Sequence, residues 1–135
     1  MILDKELLLS DGQDAKANSS KVSTNSIDLS AALRDIGKGE QLYVVVVVDT
    51  YTAGSNTALT ISLITDDDEA LGSPTTIFST PAIAYTAIAA GMVPIVIPIP
   101  PGIAEQYLGL NYNCTTAATA LTVTAFVAKD VQTNL

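Results

Sequence analysis

Apolar and polar residues alternate along much of this chain with a period of two. In residues 57–65, Leu59, Ile61 and Leu63 share one parity and Thr60 and Ser62 the other. That pattern predicts a strand with one buried face. Residues 105–114 repeat it, with Leu108, Leu110, Tyr112 and Cys114 on the apolar side, and residues 120–129 do so with Leu121, Val123, Ala125 and Val127. Residues 41–50 differ. Their five consecutive valines favour a pleated strand but are apolar on both faces. One face is expected to meet the core and the other a loop, a second layer or another subunit. Val44, Val46 and Val48 therefore become candidate interface residues.

Shorter strands are expected at residues 7–9, 75–80 and 92–99. In the last of these, Val93, Ile95, Ile97 and Ile99 share one parity, and Pro94, Pro98 and Pro100 the other. Residues of one parity direct their backbone groups to the same neighbouring strand, so three prolines of one parity strip donors from one side. This strand is expected at a sheet edge. Residues 10–25 are polar apart from Val22 and contain the Asp11-Gly12 turn signal, which predicts a long loop or arm. Residues 27–36 carry helical spacing with Ser30 placed to cap a turn through Asp35, ended by Gly37 and Gly39. Residues 82–91 fit either a short helix or an extended segment. With about six to eight strands, short turns and no strand-helix-strand rhythm, the class is all-β: one antiparallel jelly-roll or β-sandwich domain spanning 1–135, with at most one or two short helical turns.

Charge narrows the possible partners. Charged residues make up only 15% of the chain, six basic against fourteen acidic, for a formal charge of −8. Soluble domains average about 25%. From residue 39 to residue 128 there is no Lys or Arg, while Glu40, Asp49, Asp66, Asp67, Asp68, Glu69 and Glu105 lie in that stretch. Neutralising phosphates requires a basic patch, so neither nucleic acid nor an anionic membrane is an expected partner. Residues 1–9 have too short an apolar core, broken by Asp4, Lys5 and Glu6, to read as a signal peptide.

Candidate chemistry is sparse. The chain has no histidine, which removes the commonest general base, the usual nucleophile pairs and most metal sites. Its one cysteine, Cys114, lies on an apolar parity with no positive residue nearby in sequence, and is read as a small core side chain. Asp66, Asp67 and Asp68 could attract a hard cation, but they lack the alternating spacing of a calcium loop and are read as a solvated turn. Glu40 and Glu105 invite comparison with a glycosidase carboxylate pair, although nothing in the sequence brings them together. Gly37-Lys38-Gly39 is a turn, and the acceptor patterns at Asn18 and Asn113 carry no weight without secretion. No catalytic residue, cofactor or metal is assigned, and no enzyme activity is expected.

Several segments resemble a known family. Ser10-Asp11-Gly12-Gln13, the 25–29 segment NSIDL, Asp35-Ile36-Gly37, the 39–46 segment GEQLYVVV, the 106–112 segment QYLGLNY and the 121–125 end strand together look like the jelly-roll cement proteins of tailed phages, of the short-tailed Bordetella phage type. The resemblance implies a decoration protein on the outer surface of an icosahedral head, made in the bacterial host cytoplasm. It implies the major capsid protein as partner, and a second copy of the chain, with a homodimer favoured and a homotrimer workable. Ser10, Asp11, Gly12 and Gln13 join the valines as interface candidates. A receptor- or carbohydrate-binding module is the alternative. Tyr51 and Tyr85 are the two aromatic residues left for a loop platform on that reading.

Overall fold

A computed structural model describes residues 4–17, 20–30 and 39–131. The turn expected to end at Asp35, Gly37-Lys38 and the acceptor Asn18 lie outside the described residues.

Among the described residues, ten strands form two antiparallel sheets. They are β1 (Leu8–Asp14), β2 (Lys21–Val22), β3 (Ile27–Asp28), β4 (Tyr43–Thr52), β5 (Ala58–Asp66), β6 (Thr75–Ser79), β7 (Ile83–Ala84), β8 (Ile95–Pro98), β9 (Tyr107–Cys114) and β10 (Ala120–Ala128). The first sheet has the order β1-β10-β4-β8. The second runs β2-β9-β5-β6, with β3 also on β9 and β7 also on β5. The chain crosses repeatedly from one sheet to the other, and each long strand pairs with strands distant in sequence. This is the strand order of a jelly roll. Single 3₁₀ turns at Lys5–Leu7 and Tyr85–Ala87 supply the described helical structure.

The core lies between the sheets and follows the alternation. Leu59, Ile61, Leu63, Leu108, Leu110, Tyr112, Val123 and Ala125 are fully buried. The valine strand resolves differently from the expectation. Val44, Val46 and Val48 pair with Val127, Ala125 and Val123 of β10 and are fully buried in the core. They are therefore not interface residues, because the register with β10 assigns their parity to the interior. The other parity lies on the outer face. There Val45 joins a cross-strand row, Leu8–Phe126–Val45–Val96, that spans all four strands of the first sheet. The two central members, Phe126 and Val45, are buried, while Val96 at the edge is exposed.

The polar stretch 10–25 is also a correction. Residues 10–14 belong to β1, paired with β10 through two register shifts, and Lys21–Val22 pairs with β9. It reads as an arm because its residues are polar, yet several of them are spent on hydrogen bonds within the fold. By contrast, β8 occupies a sheet edge as its prolines require. Ile97 and Ile99 point inward, and the Ile99 N–H donates to the Leu42 carbonyl at 2.9 Å. The opposite parity, that of Pro94, Pro98 and Pro100, faces away from β4, where the missing donors leave nothing unpaired inside the sheet. The ambiguous 82–91 segment divides into the short strand β7 and a 3₁₀ turn.

A second, smaller apolar cluster sits on the outer face of the second sheet. Ile64 and Gly109 pair across β5 and β9, and the 67–74 loop lays Leu71 over the glycine. Leu71 is buried and adopts a left-handed backbone conformation (φ +53°), which a leucine rarely does. A Cβ on Gly109 would collide with Leu71 Cδ1 and stand 3.1 Å from Ser23 Oγ. Gly109→Ala is therefore expected to destabilise by about 1–3 kcal/mol. In urea denaturation, the loss in the Gly109→Ala/Leu71→Ala double variant should fall short of the sum of the single losses, because removing the leucine tip vacates the contested space. Simple additivity would refute the contact.

Candidate functional site

The Ser10–Gln13 motif is a clamp inside the fold. Ser10 Oγ donates to Gln13 Oε1 at 2.7 Å, which uses its single proton. The Tyr112 hydroxyl, 2.9 Å from Ser10 Oγ, must then be the donor in that pair. Gln13 Nε2 donates to the Val22 carbonyl at 2.7 Å, and the Thr24 N–H donates to Gln13 Oε1 at 2.8 Å. One serine thus joins β1 to β9 across the core, and one glutamine fastens the following loop. Tyr112 is fully buried, and burial pushes its hydroxyl pKa up, partly offset by the Ser10 bond. Gly12 takes a left-handed turn (φ +54°) where the β1 register shifts, and its N–H donates to Thr124 Oγ1. Of the four motif residues proposed for an interface, Ser10 is buried and Gln13 is committed to this network. Asp11 and Gly12 remain exposed.

The acidic run is a self-capped turn. Asp66 accepts from the Ser73 N–H at 2.8 Å and the Asp68 N–H at 3.2 Å, and Asp68 accepts from the Ala70 N–H at 3.0 Å. These carboxylates close the loop that carries Leu71. The Ser73 N–H, followed by those of Asp68 and Asp67, holds the Asp66 carboxyl below its ordinary value of 3.8 against the opposing effect of burial. Tyr107 pairs with Asp66; burial, then the charges of Asp28, Glu69 and Asp68, push its hydroxyl pKa up. Among the described residues no three His, Cys, Asp or Glu side chains come together to hold a metal ion. Cys114 is buried, its thiol pushed up by burial, and its S–H points to the Ala15 carbonyl at 3.7 Å.

Glu40 and Glu105 do not meet. Glu40 pairs with Lys129 at 2.9 Å on an exposed surface. Glu105 belongs to a cleft of about 310 Å³ beside β6, lined by Thr65, Thr75, Ile77, Pro100, Pro101 and Ile103 among others. Thr65 Oγ1 donates to Glu105 Oε2, and Thr75 Oγ1 donates to Oε1 at 3.1 Å. The cleft has no motif; the sequence signals for it were the Pro100-Pro101-Gly102 bend and an acidic residue five positions past the first proline.

The cleft adjoins an edge that differs from the others. The β8 edge is blocked by proline, the β1 edge is broken by two register shifts, and β2 and β3 have two residues each. β6 ends the second sheet with Thr75-Thr76-Ile77-Phe78-Ser79, which has one bulge but neither charge nor proline, and Phe78 is 41% exposed. Natural edges are usually blunted by charge, proline or shortness. Of the two aromatic residues reserved for a loop platform, Tyr51 lies in β4, packs against the core and accepts from Asn56 Nδ2; Tyr85 stays exposed.

Residues 9–127 match the Bbp16 family, from the first core residue of β1 to the last of β10. The chain belongs to the Bbp16 family, consistent with a Bordetella phage protein family. No curated protein matches it. The matched span includes the Ser10–Tyr112 clamp, the capped acidic turn and the cleft.

Ser10→Ala leaves the buried Tyr112 hydroxyl without its acceptor and is expected to cost about 1–3 kcal/mol, whereas Tyr112→Phe, which removes the orphaned group itself, should cost less. Urea denaturation of both single variants and the double variant checks this, with the double close to Tyr112→Phe alone. The Asp66 carboxyl titrates lower in the folded chain than in the unfolded one, so its contribution is present above the ordinary value and is lost as pH falls through the folded value. Thermal midpoints measured from pH 7 downward should fall below about pH 4, and Asp66→Asn should flatten that fall.

Proposed function

We propose that this protein is a capsid cement protein. It binds the outer surface of an icosahedral phage head and holds neighbouring major capsid protein subunits together against the outward pressure of the packaged genome. Its partners are the major capsid protein and a second copy of itself, a twofold dimer being favoured over a trimer, and it carries no enzyme activity. The observation that carries this reading is the contrast among sheet edges: β6, with one bulge, carries no charge or proline and includes an exposed phenylalanine, while the other edges are finished by proline, by two register shifts or by shortness. An open edge is a place for another chain to pair. Membership of a phage protein family supports a virion role. The body of the domain, without Lys or Arg from residue 39 to residue 128, suits an outer surface that ignores the DNA beneath the shell.

Purified protein added to heads that lack it should co-sediment with them and raise their rupture temperature. Phe78→Asp, which places a charge at the open edge on an already exposed side chain, should weaken binding at least tenfold without lowering the thermal midpoint of the free protein. If the unmodified protein neither bound nor stabilised such heads, the cement reading would fail.

A further inference from the structure

Glu105 is the one ionisable side chain in the lining of the β6 cleft. Its two carboxylate oxygens each accept one hydroxyl, from Thr65 and from Thr75. Thr65 is 3% exposed, so this side of the grip is buried in the fold. Hydroxyls orient a carboxylate but leave its charge in place. Among the described residues the basic side chains that form ion pairs do so elsewhere, Lys16 with Asp14 and Lys129 with Glu40. The chain supplies no Lys or Arg between residues 39 and 128 that could reach the cleft from its own strands. Among the described residues no basic side chain pairs with this partly buried carboxylate, which is held in one orientation with a further lone pair on each oxygen.

Two parallel acceptors of fixed orientation match a planar cation with two parallel donors better than a point charge. The remaining lining, chiefly Ile77, Pro100, Pro101 and Ile103, is apolar and suits the methylene stem behind such a head. A volume of about 310 Å³ accommodates one long side chain and excludes a folded element. We infer that the cleft is a receptor for one arginine side chain, presented by a protein partner that lies along the β6 edge. Glu105 meets the guanidinium, Thr65 and Thr75 hold the carboxylate for it, and the proline and isoleucine walls pack its stem. This deepens the cement reading by giving the chemistry of the contact, and rests on that reading for which protein supplies the arginine.

The test uses the full chain, isotopically labelled, titrated with the capped tripeptide Ac-Ala-Arg-Ala-NH2 and with its citrulline and lysine counterparts, read by amide chemical shifts. The arginine peptide should shift Thr75, Ile103 and Glu105 saturably, with the citrulline and lysine peptides at least tenfold weaker. Glu105→Gln keeps one oxygen acceptor, and its amide N–H can donate to the other threonine hydroxyl, so it should lose arginine binding tenfold or more with little change in thermal midpoint. Absence of saturable shifts, or equal shifts with citrulline or lysine, overturns the inference, as does undiminished arginine binding by Glu105→Gln. Should Glu105→Gln fail to fold, the three-peptide comparison on the unmodified protein decides alone. Arginine selectivity without binding to phage heads would remove the cement reading and leave the receptor; binding to heads without arginine selectivity would do the reverse.

Discussion

The fold depends on the register between β4 and β10. Five valines in a row cannot set their own register, because a one-residue slip exchanges one apolar set for another. β10 has no such freedom. Its inward residues, Leu121, Val123, Ala125 and Val127, alternate with Thr122 and Thr124, whose hydroxyls bond to Thr50 and Asp49 of β4. Those polar pairs on the outer face fix which valines face inward. Once Val44, Val46 and Val48 are committed to the interior, Val45 and Phe126 are left on the outer face. β8 and β1 then take the two flanks of the sheet, one finished by proline and the other by its bulges.

The two sheets are tied by few polar contacts through the core, and Ser10–Tyr112 is the central one. Its value is positional more than energetic, since a single satisfied hydrogen bond contributes about 0.5–1.5 kcal/mol. Among the described residues the tyrosine buried in β9 bonds to one acceptor, and that acceptor lies at the point where β1 changes register. The bond therefore selects the bulged geometry of β1, and Gln13 carries the same selection into the loop behind it. The exposed ion pairs Lys16–Asp14 and Lys129–Glu40 add little by comparison.

Strands whose outer face is polar were legible in the sequence: β5, β9 and β10 fall within a residue or two of their alternating segments, and the proline parity located the β8 edge. Two regions were not. The β1 segment looks like an arm because Ser10 and Gln13 are polar, yet Ser10 bonds to a tyrosine 102 positions away and Gln13 to the loop 9 to 11 positions on. The inward parity of β4 depends on a partner strand beyond the reach of any local pattern. The candidate site was less legible still. Glu105 was weighed only as half of a carboxylate pair with Glu40, and its grip by Thr65 and Thr75 joins residues 40 and 30 positions apart on three segments. The acidic run was read as a turn, and its geometry shows why four acids can sit together: two of them spend their oxygens on backbone N–H groups of the same loop.

The proline-lined edge of β8 has a topological consequence. A sandwich open on opposite flanks is a repeating unit, since each added copy presents the next free edge, and such chains grow into ribbons. The opposite end of the β6 sheet holds only the two-residue strands β2 and β3, and in the other sheet β8 keeps the Val96 N–H as its single outward donor, so a strand laid against β6 finds no long free edge among the described residues from which to continue. The domain therefore lacks the matched pair of open edges that a growing ribbon requires.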